Sequence, residues 1–451
     1  MRLETHPMRR RNSGGIVSAI STLTIAGAFL AGFAPSARAQ SLDGVVLGLL
    51  QNNCSALGFS PTGAVPGFGD ELARLCSLGV QGTTAASGGG AASPQASAQS
   101  IENGLVQQRL ERARSKNKQS AGGGPSAAAM LFRGRSSLID FTRSSRPEDG
   151  GSSASSGRFD VFASGSYESL DRKLTPFEDA FDSSVKGGAV GFDFQFNDRI
   201  VAGLVAGYRK QDGNFSHGGD LAITTFEPSA YLSVLPSSRT FVQVVAGYGS
   251  ESSDVRRNIQ YMVTVPTDPP SPPTIITSGL AASAPDSKAY SGSARFGYDQ
   301  PVGRFTLGPR VGANYHHDTI DAYAESGTSG LELVVHERTV TSFQGVVGIY
   351  ASAAFSGKSG VLVPQVSLEY VREFKDDPSI VTARLAQDER GADATVFTYQ
   401  TNAPDSGFLN VEAGVGAVLA HGLQVFVNLR KTIGNDLFST TGGTIGLRWE
   451  L

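Results

Sequence analysis

The chain is poor in the features that mark most other protein classes. Its mean hydropathy is close to neutral, and only one stretch, Ile16 to Ala34, has the length and apolar character of a membrane-crossing helix. A bundle of membrane helices is therefore excluded. Cysteine is scarce, with Cys54 and Cys76 alone, and no histidine or second cysteine pair lies near them to complete a metal site. No excess of one charge exists either, since 38 basic residues face 41 acidic ones. That balance, with basic residues not interleaved with aromatics, gives nucleic acid nothing to bind. No G-x-S-x-G elbow and no H-E-x-x-H pair occurs. What is abundant is glycine, 55 of 451 residues, which suits one large β domain joined to flexible segments.

The amino terminus reads as a secretory leader over residues 1–39. Arg9, Arg10 and Arg11 precede the apolar stretch, and Ala37 and Ala39 form an A-x-A cleavage site before Gln40. An uncleaved anchor is the competing reading, and Pro35 with the Ala-Arg-Ala site argues against it. These features indicate a bacterial chain that leaves the cytoplasm. In the oxidising compartment beyond, Cys54 and Cys76 are expected to pair and close a short loop over a small helical hairpin. Residues 40–100 form one short segment that ends in a Gly, Ala, Ser and Thr-rich stretch too polar to fold. Residues 101–157 hold two helix-capable runs, Ile101 to Lys118 and Ala127 to Phe141, and then a Ser/Gly-rich linker. The region before the barrel is thus expected to be partly helical and partly disordered.

From residue 158 to 451 the period changes to two. Val190, Phe192, Phe194 and Phe196 alternate with Ala189, Gly191, Asp193 and Gln195, and Leu423, Val425, Val427 and Leu429 oppose Gln424, Asn428 and Arg430. The last strand sets Ile445, Leu447, Trp449 and Leu451 against Thr444, Gly446, Arg448 and Glu450. Around Ile200 to Gly207 both faces are apolar or tiny, and the alternation fails. Tight links at Asn197-Asp198, Pro236-Ser237-Ser238, Pro301-Val302-Gly303, Gly357-Lys358-Ser359 and His421-Gly422 alternate with longer ones at Leu170 to Asp182, Gln211 to Asp220, Tyr261 to Pro285, Ala324 to Gly330 and Lys375 to Pro404. Only Ile433 to Asp436 is short where a long link is due. The pattern predicts an all-β fold, a transmembrane antiparallel up-and-down β-barrel of about twelve strands, with both chain ends on the short-turn side. A soluble sandwich or barrel would explain the alternation but not the leader, the loop asymmetry and the terminal strand together.

Charges on the face opposite lipid belong in the lumen, because lipid would not tolerate them. Glu369, Glu412, Arg430 and Arg448 are candidates there. One reading pairs them across the wall; a sharper one has Glu369 and Glu412 holding a basic segment that includes Arg109 and Arg112. His316-His317-Asp318 is the one cluster that suggests hydrolysis, but adjacent strand residues face opposite ways. No catalytic residue, metal ligand or cofactor is assigned, and the chain is not expected to be an enzyme.

In this order, Gly188-Ala189-Val190-Gly191-Phe192-Asp193, Gly203-Leu204-Val205-Ala206-Gly207-Tyr208 and the terminal Gly443 to Leu451 resemble the translocator domain of autotransporters, the type V secretion family. The resemblance covers residues 158–451 and implies an outer-membrane barrel, monomeric and surrounded by lipid. It implies insertion by the barrel assembly machinery, helped by periplasmic chaperones, with Ile445, Leu447, Trp449 and Leu451 as the signal. It further implies that the general secretory route exports the chain, that residues 40–100 are a passenger-like segment bound for the cell surface, and that one of the two helices occupies the pore. Two departures stand out: family members usually end in Phe rather than Leu451, and the stretch before residue 101 holds no repeat long enough to stack a β-helix. The alternative function is a general pore or surface-binding barrel that acts through its long loops.

Overall fold

The computed structural model describes residues 69, 70, 72 and 73, then 159–175, 180–197, 199–237, 239–263, 274–357, 360–391, 394, 396–419 and 423–450. The leader, Cys54 and Cys76, the two helix-capable runs, the linker and Leu451 lie outside these residues.

Among the described residues twelve long strands form a closed ring. In chain order they begin with β1 (Phe159–Arg172), β2 (Phe181–Asn197), β3 (Ile200–Phe215), β4 (Gly219–Val234) and β5 (Thr240–Val263). After a short β6 (Thr274–Ser283) come β7 (Asp286–Tyr298), β8 (Gln300–Val302), β9 (Phe305–Ile320), β10 (Tyr323–Ala324) and β11 (Leu333–Val335). Then follow β12 (Arg338–Ala353), β13 (Phe355–Gly357), β14 (Gly360–Glu373), β15 (Ile380–Leu385) and β16 (Val396–Gln400). The last three are β17 (Gly407–Leu419), β18 (Leu423–Ile433) and β19 (Phe438–Glu450). The ring consists of β1 to β5, β7, β9, β12, β14, β17, β18 and β19, each antiparallel to its neighbours. β19 returns to β1 with Asp160 opposite Glu450 and Arg172 opposite Phe438, and β12 pairs with both β9 and β14. No edge of the ring remains unpaired, the condition for a sheet to stand in lipid.

The period-two alternation becomes an inside and an outside. Val190, Phe192, Phe194, Ile445, Leu447 and Trp449 are exposed on the outer surface, whereas Asp193 and Arg448 on the same strands, and Asp160 on β1 between them, are buried inside. Exposed aromatics fall in two belts. Phe159, Phe194, Phe196, Phe305, Phe355 and Trp449 lie toward the tight turns, and Tyr167, Tyr208, Phe226, Tyr248, Tyr290, Tyr315 and Phe343 lie nearer the loops. Along β1 the eight steps from Phe159 to Tyr167 correspond to a height of about 20 Å for a tilted strand, which is close to the apolar band of an outer membrane.

Most links behave as their sequence suggests; besides Tyr261 to Pro285, where β6 pairs back on the end of β5, there are two exceptions. Gln211 to Asp220, expected as a long link, is mostly strand: β3 runs to Phe215, and a tight turn with positive φ at Gly218 (94°) and Gly219 (102°) leads directly into β4. The second exception concerns the β9–β12 and β14–β17 connections, which contain Ala324 to Gly330 and Lys375 to Pro404. These links supply strands of their own, and β10, β11, β15 and β16 form a separate four-stranded sheet on the loop side of the barrel.

Candidate functional site

The lumen is built by pairing glycine with bulk across the hydrogen-bonded wall. Phe162 stands opposite Gly191, Tyr231 opposite Gly203, Phe241 opposite Gly297 and Phe426 opposite Gly446. A Cβ on Gly191 would meet the Phe162 ring at 2.4 Å, and one on Gly203 would meet the Tyr231 ring at 2.4 Å. Large inward side chains therefore lie flat along the wall over a neighbour without a side chain, instead of projecting across the pore. Arg295 over Gly312 and Glu369 over Gly348 repeat the device with charged groups. It also accounts for the failed alternation around Ile200 to Gly207, where small inward residues receive partners from β4 and Val201 joins Phe162, Tyr231, Val245 and Phe426 in one apolar cluster. Twelve strands spaced about 4.8 Å apart and tilted about 40° give a backbone radius of about 12 Å, enough for one helix or an extended chain where side chains lie flat.

Inward charges meet opposite charges on nearby strands. Arg448 of β19 pairs with Asp160 of β1 and with Asp193 of β2, the latter at 3.1 Å, and Tyr231 donates its hydroxyl to Asp193 at 3.0 Å. The three strands that meet at the closing seam are thus fastened by one guanidinium. Arg430 pairs with Glu168, again across from β18 to β1. Arg310 pairs with Asp299 and lies between the rings of Phe241 and Tyr350, 4.9 and 4.8 Å from their centroids. Glu369 lies 3.6 Å from Arg295, and Glu412 accepts a hydrogen bond from Asn428. Arg109 and Arg112, the basic partners expected for Glu369 and Glu412, lie outside the described residues. His316 and Asp318 are buried on the inner face, while His317 points the other way with Nδ1 3.0 Å from the Thr341 hydroxyl. The three residues do not converge on one site.

At the loop end the connections brace one another. Arg257, on the part of β5 that extends beyond the belt, forms a buried pair with Glu325, and the same carboxylate accepts the Leu333 amide of β11 at 2.8 Å. Ala282 and Ser326 form a bridge, Asn402 donates to Thr175 at 2.7 Å, and Asp405 accepts the Asp436 amide at 2.6 Å. Outside the membrane band, at the loop end of β4 and β5, exposed Arg256 is raised above its ordinary pKa, first by its hydrogen bond to Asp220 and then by that carboxylate's charge. The small sheet buries Val335, Val381, Ala383 and Tyr399. Little in the amino-acid pattern marks it, because each strand is only two to six residues long.

A closed ring of twelve strands, with tight turns at one end and braced loops at the other, also matches a known family. The family model described as "Autotransporter beta-domain" matches residues 161–430. The chain belongs to the autotransporter family. Its barrel is therefore an outer-membrane β-barrel of the type V secretion class. Residues of the chain are 24% identical over 306 positions to "Outer membrane protein A" of Rickettsia conorii, covering 66% of this chain and 14% of that protein. The same description in Rickettsia rickettsii gives 24% over 306 positions and 13% of its length, so this chain spans about one seventh of these relatives. Among solved structures, the translocator domain of the autotransporter NalP from Neisseria meningitidis is similar at a TM-score of 0.49 and 14% identity, covering 74% of this chain and 99% of that one. The β domain of the Bordetella autotransporter BrkA follows at 0.45 and 15%, covering 65% and 100%.

Proposed function

We propose that this autotransporter barrel carries the segment amino-terminal to it across the outer membrane and anchors it at the cell surface. One observation carries the reading. Gly69 and Leu72 bond to Gln387, in the β15–β16 connection on the loop side, whereas β1 begins at Phe159 on the tight-turn side. Ala73 and Phe159 therefore lie at opposite ends of the barrel. A lumen wide enough for one helix or strand offers the path that avoids lipid.

In this proposal residues 1–39 direct export from the cytoplasm, residues 40–100 are the cargo closed by Cys54 and Cys76, and residues 101–157 connect it to the barrel, with Arg109 and Arg112 in the pore. The assembly machinery, with periplasmic chaperones, recognises Ile445, Leu447, Trp449 and Leu451, and the finished barrel is a monomer in outer-membrane lipid. The domain's task is transport and anchoring, not catalysis. An epitope placed after Gln40 tests this in intact cells: external protease should remove it, and an epitope that stays protected would refute export. A second reading, recognition of an external ligand, draws support from the folded sheet of β10, β11, β15 and β16, since ordered loops present a fixed surface.

A further inference from the structure

The four-stranded loop sheet does more than brace the mouth; it supplies a cap to another part of the chain. Asp70, Leu72 and Ala73 are helical, and the Ala73 amide donates to the Gly69 carbonyl at 3.0 Å, which makes Gly69 the N-cap position. An N-cap residue ordinarily uses a side-chain oxygen to accept an amide two or three residues on. Glycine has none. The oxygen comes instead from Gln387, whose Oε1 accepts the Leu72 amide at 3.1 Å while its carbonyl accepts the Gly69 amide at 2.9 Å. Glycine is also what the contact requires, because a Cβ at position 69 would lie 2.8 Å from Gln387 Oε1 and 3.2 Å from its Cβ. Leu72 and Ala73 are 1% and 3% exposed in this arrangement. The helical turn and the loop therefore complete each other, and neither satisfies its polar groups as well alone.

We infer that the β15–β16 connection is a built-in docking site for the Gly69 to Ala73 turn, and that it retains the exported segment on the outer mouth of its own barrel after the covalent link is lost. This rests on the export reading above and adds a fate for the cargo. Retention by a cap and a buried leucine differs from simple tethering, because it survives a cut.

The experiment places a specific protease site within residues 82–99 of the full chain, keeps the epitope after Gln40, and treats intact cells from outside. Cleavage with the epitope fragment still on the washed cells is the expected result. Gln387→Leu, which keeps the shape but removes the accepting oxygen, and Gly69→Val should each lower the retained-to-released ratio about fivefold or more. Gln387→Glu, which keeps an acceptor, should retain the fragment. Heat-modifiable mobility of each variant checks that the barrel is folded. Cleavage followed by release from the parent protein, or equal retention by Gln387→Leu, overturns docking and leaves export standing. Failure to cleave in cells overturns export, and the same cut on purified protein in detergent then decides docking separately.

Discussion

Arg448→Leu should loosen the barrel at its seam. The guanidinium is fully buried and faces two carboxylates, Asp160 and Asp193, on the two strands that follow the closure. Removing it leaves both acids facing one another without a cation, and loss of one partner from a buried pair costs about 3–5 kcal/mol. With a urea dependence of about 3 kcal/mol per molar, the unfolding midpoint should fall by about 1–1.7 M. The chain contains a single tryptophan, Trp449, next to Arg448 on the same strand, so its fluorescence reports the seam itself. The measurement is a urea titration of the purified barrel in detergent. Adding Asp160→Asn and Asp193→Asn to Arg448→Leu removes the stranded charges and should recover most of the loss. A single variant whose midpoint moves by less than about 0.3 M, or a triple variant no better than the single, would refute this account of the seam.

Two further substitutions test the wall. Leu447→Lys points a charge into lipid and should cost about 2–4 kcal/mol if it sits near the bilayer midplane, whereas Thr444→Lys on the inner face of the same strand should cost far less; equal loss of heat-modifiable mobility would contradict the assignment of faces. Gly191→Leu should force the Phe162 ring off the wall and lower stability by about 1–3 kcal/mol, with Phe162→Ala in the same chain restoring part of it, and a neutral Gly191→Leu in a urea titration would dismiss the packing of bulk over glycine.

The ring was largely legible in the sequence because a closed sheet in lipid repeats one rule in every strand. Val190 to Phe196 and Leu423 to Leu429 obey it openly, and the alternation of tight and long links orders the strands. β3 obeys it less visibly, since Gly203 is recognisable as an inward residue only once Tyr231 is seen lying over it. Two kinds of feature were not legible. Which inward arginine meets which acid depends on register between strands as distant in sequence as residues 160 and 448, and no local pattern encodes that. The loop sheet was hidden in a strongly charged run: Val381, Ala383 and Leu385 alternate with Thr382 and Arg384, but Asp376, Asp377, Asp388, Glu389 and Arg390 around them read as solvated loop. Gln387 carried no signal at all, because a glutamine becomes a cap only through the segment that it meets.

Pairing of β19 with β1 also has a consequence in time. The stave that completes the circle is the last of the twelve in the chain, so a sheet that lacks it has two bare edges and cannot close. Contacts between residues this far apart form slowly, and unpaired strand edges invite neighbouring chains. Until Arg448 reaches Asp160 and Asp193 those edges stay open, so the stretch of folding before closure is where this molecule is exposed to aggregation.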